Sequence, residues 1–386
     1  MPSSTQSTPF LDLPNIPVHV CVLWPTEEAA RSAPRGDFQL VLDPDTGMAR
    51  NRVFDENLLG YGDGYENSLG FSEFFQGYLQ GFAKDLVERY SLQGKRVLEV
   101  GCGDADFLRL MIEHGAASGV GFDPSYHEDQ PTSLDDGRIV IHREVFPPAN
   151  QALEIDADIL VCRQVLEHVP DPLQFLETIR GGLPKDRATT VVIEVPNLLP
   201  TLERQTSWDM IYEHCTYFSV GSLSRLLKKA GFHVTYAEET YEKQFITVEA
   251  TTDLSVPDRT AELDDHQLLQ EGVAHFDAAW TQCRAQWTQR LTDAHAAGKT
   301  VAIWGTGARG INFLNLVDPN NTIQSAIDIN PRKYGLHVAG TGQVVSPPES
   351  LLQNPPDLVI VINPIYEQEI RESLQELGLN PEIALA

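Results

Sequence analysis

A short apolar strand followed by a glycine turn, a helix and a second strand most constrains how this chain can fold. The first strand, residues 96–100, runs into a turn that carries Gly101 and Gly103, and the second strand, 118–122, is followed by Asp123. Strand, glycine turn, helix and acid-terminated strand in this order form a nucleotide-binding βαβ unit. The glycines let the backbone approach a ligand closely because they carry no Cβ.

Two features of this unit favour a sulfonium nucleoside over a dinucleotide as the ligand. The turn reads Gly-Cys-Gly, and Asp104 and Asp106 stand at the start of the helix, where the helix would lose its attraction for a pyrophosphate. The unit resembles the first motif of the class I S-adenosylmethionine-dependent methyltransferases. That motif usually has a third glycine, and Ala105 stands at this position here. The resemblance implies that Asp123 binds the ribose hydroxyls and that Glu99 orients the methionine amino group.

The rest of the chain alternates between strands and helices, which predicts an α/β fold. The expected architecture is a doubly wound Rossmann-like methyltransferase sheet that ends in an antiparallel pair, with a second, smaller Rossmann-like α/β domain at the C-terminus. Helices are predicted over 71–90, 219–230 and, as one or two segments, 267–297. The strands of the large sheet are predicted at 96–100, 118–122, 138–142, 157–162, 189–195, 232–237 and 244–250.

The N-terminal part has weaker periodicity and is punctuated by proline and glycine. Short strands are predicted at 18–23 and 38–42, with a turn at 43–47. The domain boundaries follow from these patterns. They are an N-terminal lobe at 1–75, a cofactor-binding domain at 76–252, a linker with helices at 253–298 and the C-terminal domain at 299–386.

The C-terminal domain carries a second glycine-rich turn. Strand 301–304 leads into Gly305, Gly307 and Gly310, and a later strand ends at Asp328. This pattern alone also fits a dinucleotide site. An NAD-dependent oxidoreductase is therefore an alternative function, and a non-catalytic protein that binds S-adenosylmethionine is another.

Charge and cysteine content exclude several classes of protein. The chain has 55 acidic against 28 basic residues, a net charge of −27, so a nucleic acid or an anionic membrane is not expected as a partner. The five cysteines are scattered without a Cys-x-x-Cys pair, so neither a metal site nor a disulfide framework is predicted. We expect a cytoplasmic monomer or homodimer without a signal peptide, acting on a small-molecule substrate.

Polar residues follow two further strands of the large sheet. Gln164 comes after strand 157–162, and ligands of open α/β sheets bind at the carboxyl ends of strands, so it is predicted to contact the cofactor. Asn197 and Glu194 lie at the end of strand 189–195. They face the substrate or satisfy the local turn, and both interpretations stay open.

Glu213 and His214 stand next to each other between a strand and a helix. A carboxylate beside an imidazole raises its basicity and orients it, which predicts a general base. Tyr212 and Tyr217 are candidates for binding polar groups of the substrate. The alternative is a structural Glu–His pair that ties the loop down.

Several motifs in the same order resemble the sugar C-methyltransferases, which methylate carbons of nucleotide-linked deoxysugars. They are Tyr65-Glu-Asn-Ser-Leu69, Leu166-Glu-His168, Glu194-Val-Pro-Asn197, Glu213-His214, Gly305-x-Gly-x-x-Gly310, Asp328-Ile-Asn-Pro331 and Asn363-Pro-Ile-Tyr366. The resemblance implies that His214 removes the proton alpha to a keto group, with Glu213 beside it and Tyr65 lining the site. It also implies that Gly305, Gly307 and Gly310 help to hold the nucleotide-sugar.

The chain departs from this family at two places. The N-terminal domain of those enzymes binds zinc through cysteines, whereas this chain has only Cys21 there. The usual Tyr-x-Glu-His begins with Ile211 here. The sequence therefore predicts methyl transfer from S-adenosylmethionine to a small molecule, such as a carbon of a nucleotide-linked sugar or a related metabolite, without a metal.

Overall fold

The computed structural model describes residues 8–59, 70–126, 130–148, 155–318 and 320–386. The N-terminal lobe is built on three antiparallel strands, which a later two-residue strand extends to a four-stranded sheet. Its elements are β1 (Leu11–Pro17), α1 (Glu27–Arg31), β2 (Arg35–Leu42) and β3 (Ala49–Asn51).

The predicted strand at 18–23 is wrong. The strand lies earlier, at β1, and residues 18–21 form a bend. The alternating apolar residues that suggested a strand are buried, but the backbone N–H groups of Val20 and Cys21 donate to the Glu213 carboxylate, not to a neighbouring strand. A side chain far along the chain thus replaces the strand partner.

The middle of the chain forms an eight-stranded sheet with helices on both faces. Its elements are α2 (Glu73–Arg89), β4 (Arg96–Val100), α3 (Asp106–Glu113), β5 (Ser118–Phe122), β6 (Ser133–Leu134), β7 (Ile139–His142), β8 (Ile159–Arg163), α4 (Pro172–Gly182), β9 (Thr190–Pro196), α5 (Leu198–Arg204), β10 (Thr216–Tyr217), α6 (Val220–Lys229), β11 (His233–Thr240) and β12 (Phe245–Thr251). β10 is not a strand of this sheet and pairs instead with β3 of the N-terminal lobe.

The strand order of the large sheet is β11-β12-β9-β8-β4-β5-β7-β6. β4 lies between β5 and β8, and these central strands are parallel. β12 runs antiparallel to β9, and β11 runs antiparallel to β12. The predicted doubly wound sheet with an antiparallel pair at one end is therefore confirmed.

The C-terminal domain is a five-stranded parallel sheet in the order β15-β14-β13-β16-β17. Two helices connect it to the large sheet, as the sequence predicts for 267–297. The elements are α7 (His266–Ala274), α8 (Phe276–Ala296), β13 (Val301–Trp304), α9 (Ala308–Val317), β14 (Ser325–Ile327), β15 (Val345–Ser346), β16 (Leu358–Val361), α10 (Glu367–Glu376) and β17 (Glu382–Leu385).

One hydrophobic core joins the N-terminal lobe to the C-terminal domain. Trp208, which follows α5, packs edge-on against Trp280 of α8 and Phe313 of α9, with ring centroids 5.9 and 5.2 Å away. The Asn312 side chain donates a 2.8 Å hydrogen bond to the carbonyl oxygen of Met210. These contacts hold the segment before Glu213 against the C-terminal domain.

The described helices include none with the length and apolar character that a membrane crossing requires.

Candidate active site

A cleft of about 900 Å³ lies between the carboxyl edge of the large sheet and the glycine turn of the C-terminal domain. Ligands of open α/β sheets bind at this edge. The sequence-predicted residues that line it are Glu99, Gly101, Gly103, Asp123, Gln164, Asn197, His214, Tyr217, Gly305, Gly307 and Gly310. The fold therefore brings both glycine turns and His214 to one cavity.

The first glycine turn forms as the sequence predicts. Gly101 has a φ of +73°, and a Cβ there would lie 2.2 Å from a methyl group of Val165. The Asp123 carboxylate accepts hydrogen bonds from the backbone N–H of Gly103 and from the backbone and hydroxyl of Ser125, at 2.8, 2.8 and 2.6 Å. A carboxylate has roughly four acceptor positions, so these donors leave room for a ribose hydroxyl.

Ala105 occupies the position of the usual third glycine and adopts the left-handed conformation, with φ 65° and ψ 21°. The left-handed backbone is therefore kept without a glycine, and it places the start of α3 at the cleft. An L-residue in this region costs about 1–2 kcal/mol. The loop stores this strain beside the proposed cofactor site.

Glu99 and Arg163 lie on the inner wall of the cleft. Glu99 is 2% exposed, and its Oε2 has no hydrogen-bond partner among the described residues. The Nη2 of Arg163 donates to Glu194 at 2.9 Å, whereas its Nε is buried without a partner in the described part of the chain. Burial raises the pKa of Glu99 to about 8, and Arg163 opposes this shift in part. Arg163 was not predicted as a site residue from the sequence.

We expect binding of S-adenosylhomocysteine to release a proton from Glu99. At pH 7 the buried carboxyl is mostly protonated because its pKa is about 8, and a cationic amino group favours the carboxylate. Affinity should therefore fall as the pH falls below 8. Calorimetry in two buffers with different ionisation enthalpies measures the released proton.

The control for this prediction is Glu99→Gln, which has no proton to release. Its apparent binding enthalpy should be the same in both buffers. A wild-type enthalpy that does not depend on the buffer would contradict the assignment of Glu99 to the amino group.

Gln164 and Glu194 meet at the end of β8 and β9. The Gln164 side chain donates to Glu194 at 3.2 Å, and the hydroxyl of Tyr78 on α2 donates to the same carboxylate. Glu194 is fully buried. The carboxylate of Glu194 therefore holds the cleft wall together, which supports the structural interpretation of this residue, and Gln164 lines the cleft.

Asn197 lines the cleft, but its amide group is occupied. Its Nδ2 donates to Glu239 at 2.8 Å and to the carbonyl of Lys243 at 3.0 Å, and its Oδ1 accepts from the backbone of Leu199 at the start of α5. These bonds satisfy the turn, as the structural interpretation predicts. Substrate binding through Asn197 stays a prediction.

The placement of Tyr212 contradicts its prediction as a substrate-binding residue. Its side chain is 1% exposed, its hydroxyl accepts from the backbone of Asp55 at 3.0 Å, and its ring packs on Phe54 of the N-terminal lobe. Tyr212 lies in a turn that is closed by a 3.1 Å hydrogen bond from the backbone N–H of His214 to the carbonyl of Ile211, and its side chain is not among those that line the cleft. Tyr217 does line the cleft, and its hydroxyl donates to the carbonyl of Ile211 at 2.9 Å.

Glu213 and His214 do not form the expected pair. The Oε1 of Glu213 accepts hydrogen bonds from the backbone N–H of Val20 and Cys21, at 2.8 and 3.0 Å. Burial, with smaller contributions from His168 and Arg309, lowers the pKa of His214 well below its usual value. The prediction that Glu213 raises the basicity of His214 is therefore wrong, because the carboxylate is turned towards the N-terminal lobe.

Glu213→Leu should lower the free energy of unfolding by about 2–6 kcal/mol, because two buried N–H groups each lose their acceptor at about 1–3 kcal/mol. Glu213→Gln retains a carbonyl oxygen for both donors and should recover most of this loss. Chemical denaturation of both variants measures the difference. Equal stability of Glu213→Leu and the wild type would contradict this structural role.

The carboxyl group of Glu167 lies close to the imidazole of His214. One carboxyl oxygen of Glu167 and one ring nitrogen from each of His168 and His214 all lie within 4.8 Å of one another. Glu167 and His214 line the cleft. The rings of His168 and His214 meet edge-on, with their centroids 4.7 Å apart. Burial raises the pKa of Glu167 to about 8 and lowers that of His168 to about 4.

Sequence spacing did not predict this cluster, because its members come from two loops far apart in the chain. Glutamate and histidine are also metal-binding side chains, so the absence of a metal stays a prediction. Tyr65, the predicted third catalytic residue, lies outside the described residues.

The C-terminal glycine turn closes the opposite wall of the cleft. Gly310 permits close packing, since a Cβ there would lie 1.9 Å from the carbonyl oxygen of Gly305. Asp328 accepts hydrogen bonds from the backbone and hydroxyl of Thr306, from Lys333 and from the backbone of Asn330, all at 2.8–2.9 Å. These donors fill the roughly four acceptor positions of a carboxylate.

Two family models match the chain. A model described as a methyltransferase domain matches residues 75–237, and a model described as a C-methyltransferase C-terminal domain matches residues 236–380.

Among characterised proteins, the chain is similar to the C-methyltransferase NovU of Streptomyces niveus. The two are 26% identical over 311 residues, which cover 75% of this chain and 71% of NovU. The ubiquinone biosynthesis O-methyltransferase of Pseudomonas entomophila is 35% identical over 88 residues, or 22% of this chain and 38% of that enzyme. A solved S-adenosylmethionine-dependent methyltransferase from Mesorhizobium loti covers 45% of this chain with 19% identity and a TM-score of 0.36.

Proposed function

We propose that this S-adenosylmethionine-dependent methyltransferase, which matches family models for a methyltransferase domain and for a C-methyltransferase C-terminal domain, methylates a carbon atom of a nucleotide-linked keto-sugar or a related metabolite. The observation that carries this proposal is the single cleft. It joins the first glycine turn, His214 and the second glycine turn in one cavity. A methyl donor and a long acceptor can therefore meet at His214.

The first glycine turn and the acids around it support the cofactor half of the proposal. Asp123 binds the ribose hydroxyls, and Glu99 binds the methionine amino group. Arg163 has an unpartnered buried donor on the same wall, which suits the methionine carboxylate. The sulfonium carries its own leaving group, so the protein contributes mainly by aligning the methyl group and excluding water.

His214 is the proposed proton acceptor. Its Nδ1 is buried without a partner in the described residues, and its lowered pKa keeps the imidazole neutral and able to take a proton. The carbon–hydrogen bond next to the keto group breaks, and its electron pair attacks the methyl carbon. The sulfur–carbon bond of the cofactor breaks in turn and leaves neutral S-adenosylhomocysteine, while the proton stays on His214.

The second glycine turn supports a nucleotide-linked acceptor. Gly307 directly precedes α9, and no side chain caps the start of this helix. The first N–H groups of α9 are therefore available to an anionic group such as a diphosphate. Gly305, Gly307 and Gly310 are the proposed contacts.

The occupied carboxylate of Asp328 argues against the oxidoreductase alternative. In dinucleotide sites, the acid at this position accepts a hydrogen bond from a ribose hydroxyl. Here Thr306, Asn330 and Lys333 already use its acceptor positions.

The proposal is tested by incubating the protein with S-adenosylmethionine labelled in its methyl group and a panel of nucleoside-diphosphate-linked keto-deoxysugars. Label should move to a keto-sugar. The same sugars with the keto group reduced to an alcohol are the matched control, and they should accept no label because they lack an acidic carbon–hydrogen bond. Equal transfer to keto and reduced sugars would contradict carbon methylation.

A further inference from the structure

The cleft contains a second buried carboxyl group that the sequence did not assign a catalytic part. Glu167 is 2% exposed and lines the cleft, and its Oε2 has no hydrogen-bond partner among the described residues. His214 also lines the cleft with an unpartnered Nδ1. Buried polar groups are rarely left unpaired, and each exception calls for an explanation. Two such exceptions next to each other indicate that they act together.

Glu213 is directed towards the N-terminal lobe and not into the cleft, although its Oε2 is also buried without a hydrogen-bond partner among the described residues. Its Oε1 is held by two backbone donors of the N-terminal lobe, and its side chain is not among the residues that line the cleft.

Three contacts fix the loop of Glu167 against the loop of His214. The Nδ1 of His168 lies 3.0 Å from the carbonyl oxygen of Glu213. The hydroxyl of Thr216 donates to the backbone carbonyl oxygen of Leu166 at 3.2 Å. The thiol of Cys215 donates to the backbone carbonyl oxygen of Glu167 at 3.5 Å. The short distance between the Glu167 carboxyl and the His214 imidazole is therefore set by the fold.

We propose that Glu167, and not the adjacent Glu213, is the carboxyl partner of His214 and compensates the charge that the imidazole gains with the acceptor's proton. This inference rests on the proposed function. Glu167 acts through His214 and is a positioning residue. An opposite charge within about 4–6 Å shifts the pKa of a group by about 1–3 units in favour of its charged form. A carboxyl oxygen of Glu167 and a ring nitrogen of His214 lie within 4.8 Å of each other. The Glu167 carboxylate thus makes the buried imidazole a stronger base.

Several ionisable groups face this pair from the surrounding elements. They are Cys162 on β8, Glu194 on β9, His168 beside Glu167, Cys215 beside His214, Tyr217 on β10, and Arg309 on α9 with its partner Asp209. Burial raises the pKa of Cys215 to about 12 and lowers that of His168 to about 4, so neither titrates near pH 8. Glu213, whose pKa burial raises to about 7, needs a control. Glu99, whose pKa burial raises to about 8, also titrates in this range, so S-adenosylhomocysteine is kept saturating at every pH to hold Glu99 in its ligand-bound, ionised form.

The experiment measures exchange of the acceptor's carbon-bound proton in deuterium oxide, with S-adenosylhomocysteine in the cofactor site. The probe is the keto-deoxysugar that the wild type methylates. The variants Glu167→Gln and Glu213→Gln make the same chemical change at the two carboxyl groups. Glu167→Asp keeps a carboxyl, and melting curves together with S-adenosylhomocysteine binding confirm that each variant is folded.

We expect the wild-type exchange rate to rise with pH through about 8, because the active carboxylate of Glu167 forms as its raised pKa is passed. Glu167→Gln should lose this rise and exchange about 10- to 100-fold more slowly. Glu167→Asp should keep a pH-dependent rise, and Glu213→Gln should stay within about threefold of the wild type.

Three results would overturn the inference. They are unchanged exchange in Glu167→Gln, loss of exchange in folded Glu213→Gln, and loss of wild-type exchange on adding a chelator, which would make the cluster a metal site. A wild type that neither methylates nor exchanges any keto-sugar rejects the proposed function itself. An active wild type with an unaffected Glu167→Gln rejects only the part assigned to Glu167.

Discussion

His214→Asn is expected to bind S-adenosylmethionine like the wild type and to lose methyl transfer by about 10²–10⁴-fold, the usual contribution of a general base. The imidazole lines the cleft, and its Nδ1 has no hydrogen-bond partner in the described residues. Its replacement therefore removes no side-chain hydrogen bond among the described residues. Transfer rate per folded molecule and melting temperature are measured on the same preparation.

The structural alternative for His214 makes the opposite prediction. A histidine that only holds the loop would lower the melting temperature when replaced and leave the activity of the folded fraction intact. Equal specific activity in the wild type and His214→Asn would mean that another group takes the proton, and Glu167 would be the first to test.

Asp123→Ala is expected to weaken S-adenosylmethionine binding by about 10–10²-fold. The ribose loses a charge-assisted hydrogen bond worth roughly 1.5–3 kcal/mol, and about 1.4 kcal/mol corresponds to tenfold in affinity. The carboxylate also holds the backbone N–H of Gly103, so the turn itself loses a contact. Titration calorimetry measures the affinity.

Ser125→Ala is the matched control for Asp123→Ala. It removes the hydroxyl donor to Asp123 and leaves the carboxylate in place. It should change affinity by well under the effect of Asp123→Ala, because the carboxylate that accepts from the ribose remains. Unchanged affinity in Asp123→Ala would contradict the ribose assignment.

The features of this fold that depend on local pattern could be predicted from the sequence. The alternation of apolar strands and amphipathic helices predicts the large sheet, and Ser219 begins α6 with a capping box, as its position before an apolar helix indicates. Both glycine turns lie where the βαβ pattern places them, because Gly101, Gly103 and Gly305 adopt positive φ angles that few other residues tolerate.

The features that depend on distant contacts could not be predicted. Adjacent residues need not act together, and Glu213 bonds to Val20, 193 residues away. Residues from separate loops can meet, as Glu167 and His214 do, and periodicity carries no sign of that. The apolar alternation at 18–23 suggested a strand because burial on all sides and burial on one face leave similar patterns in a short segment.

The most direct test of the account is the position of the transferred methyl group. The protein is incubated with S-adenosylmethionine carrying a carbon-13 methyl group and the accepting keto-sugar, and the product is examined by long-range proton–carbon correlated NMR. The account predicts a methyl carbon bonded to a ring carbon next to the keto group, and no such product with His214→Asn. A labelled methyl bonded to oxygen or nitrogen would contradict it.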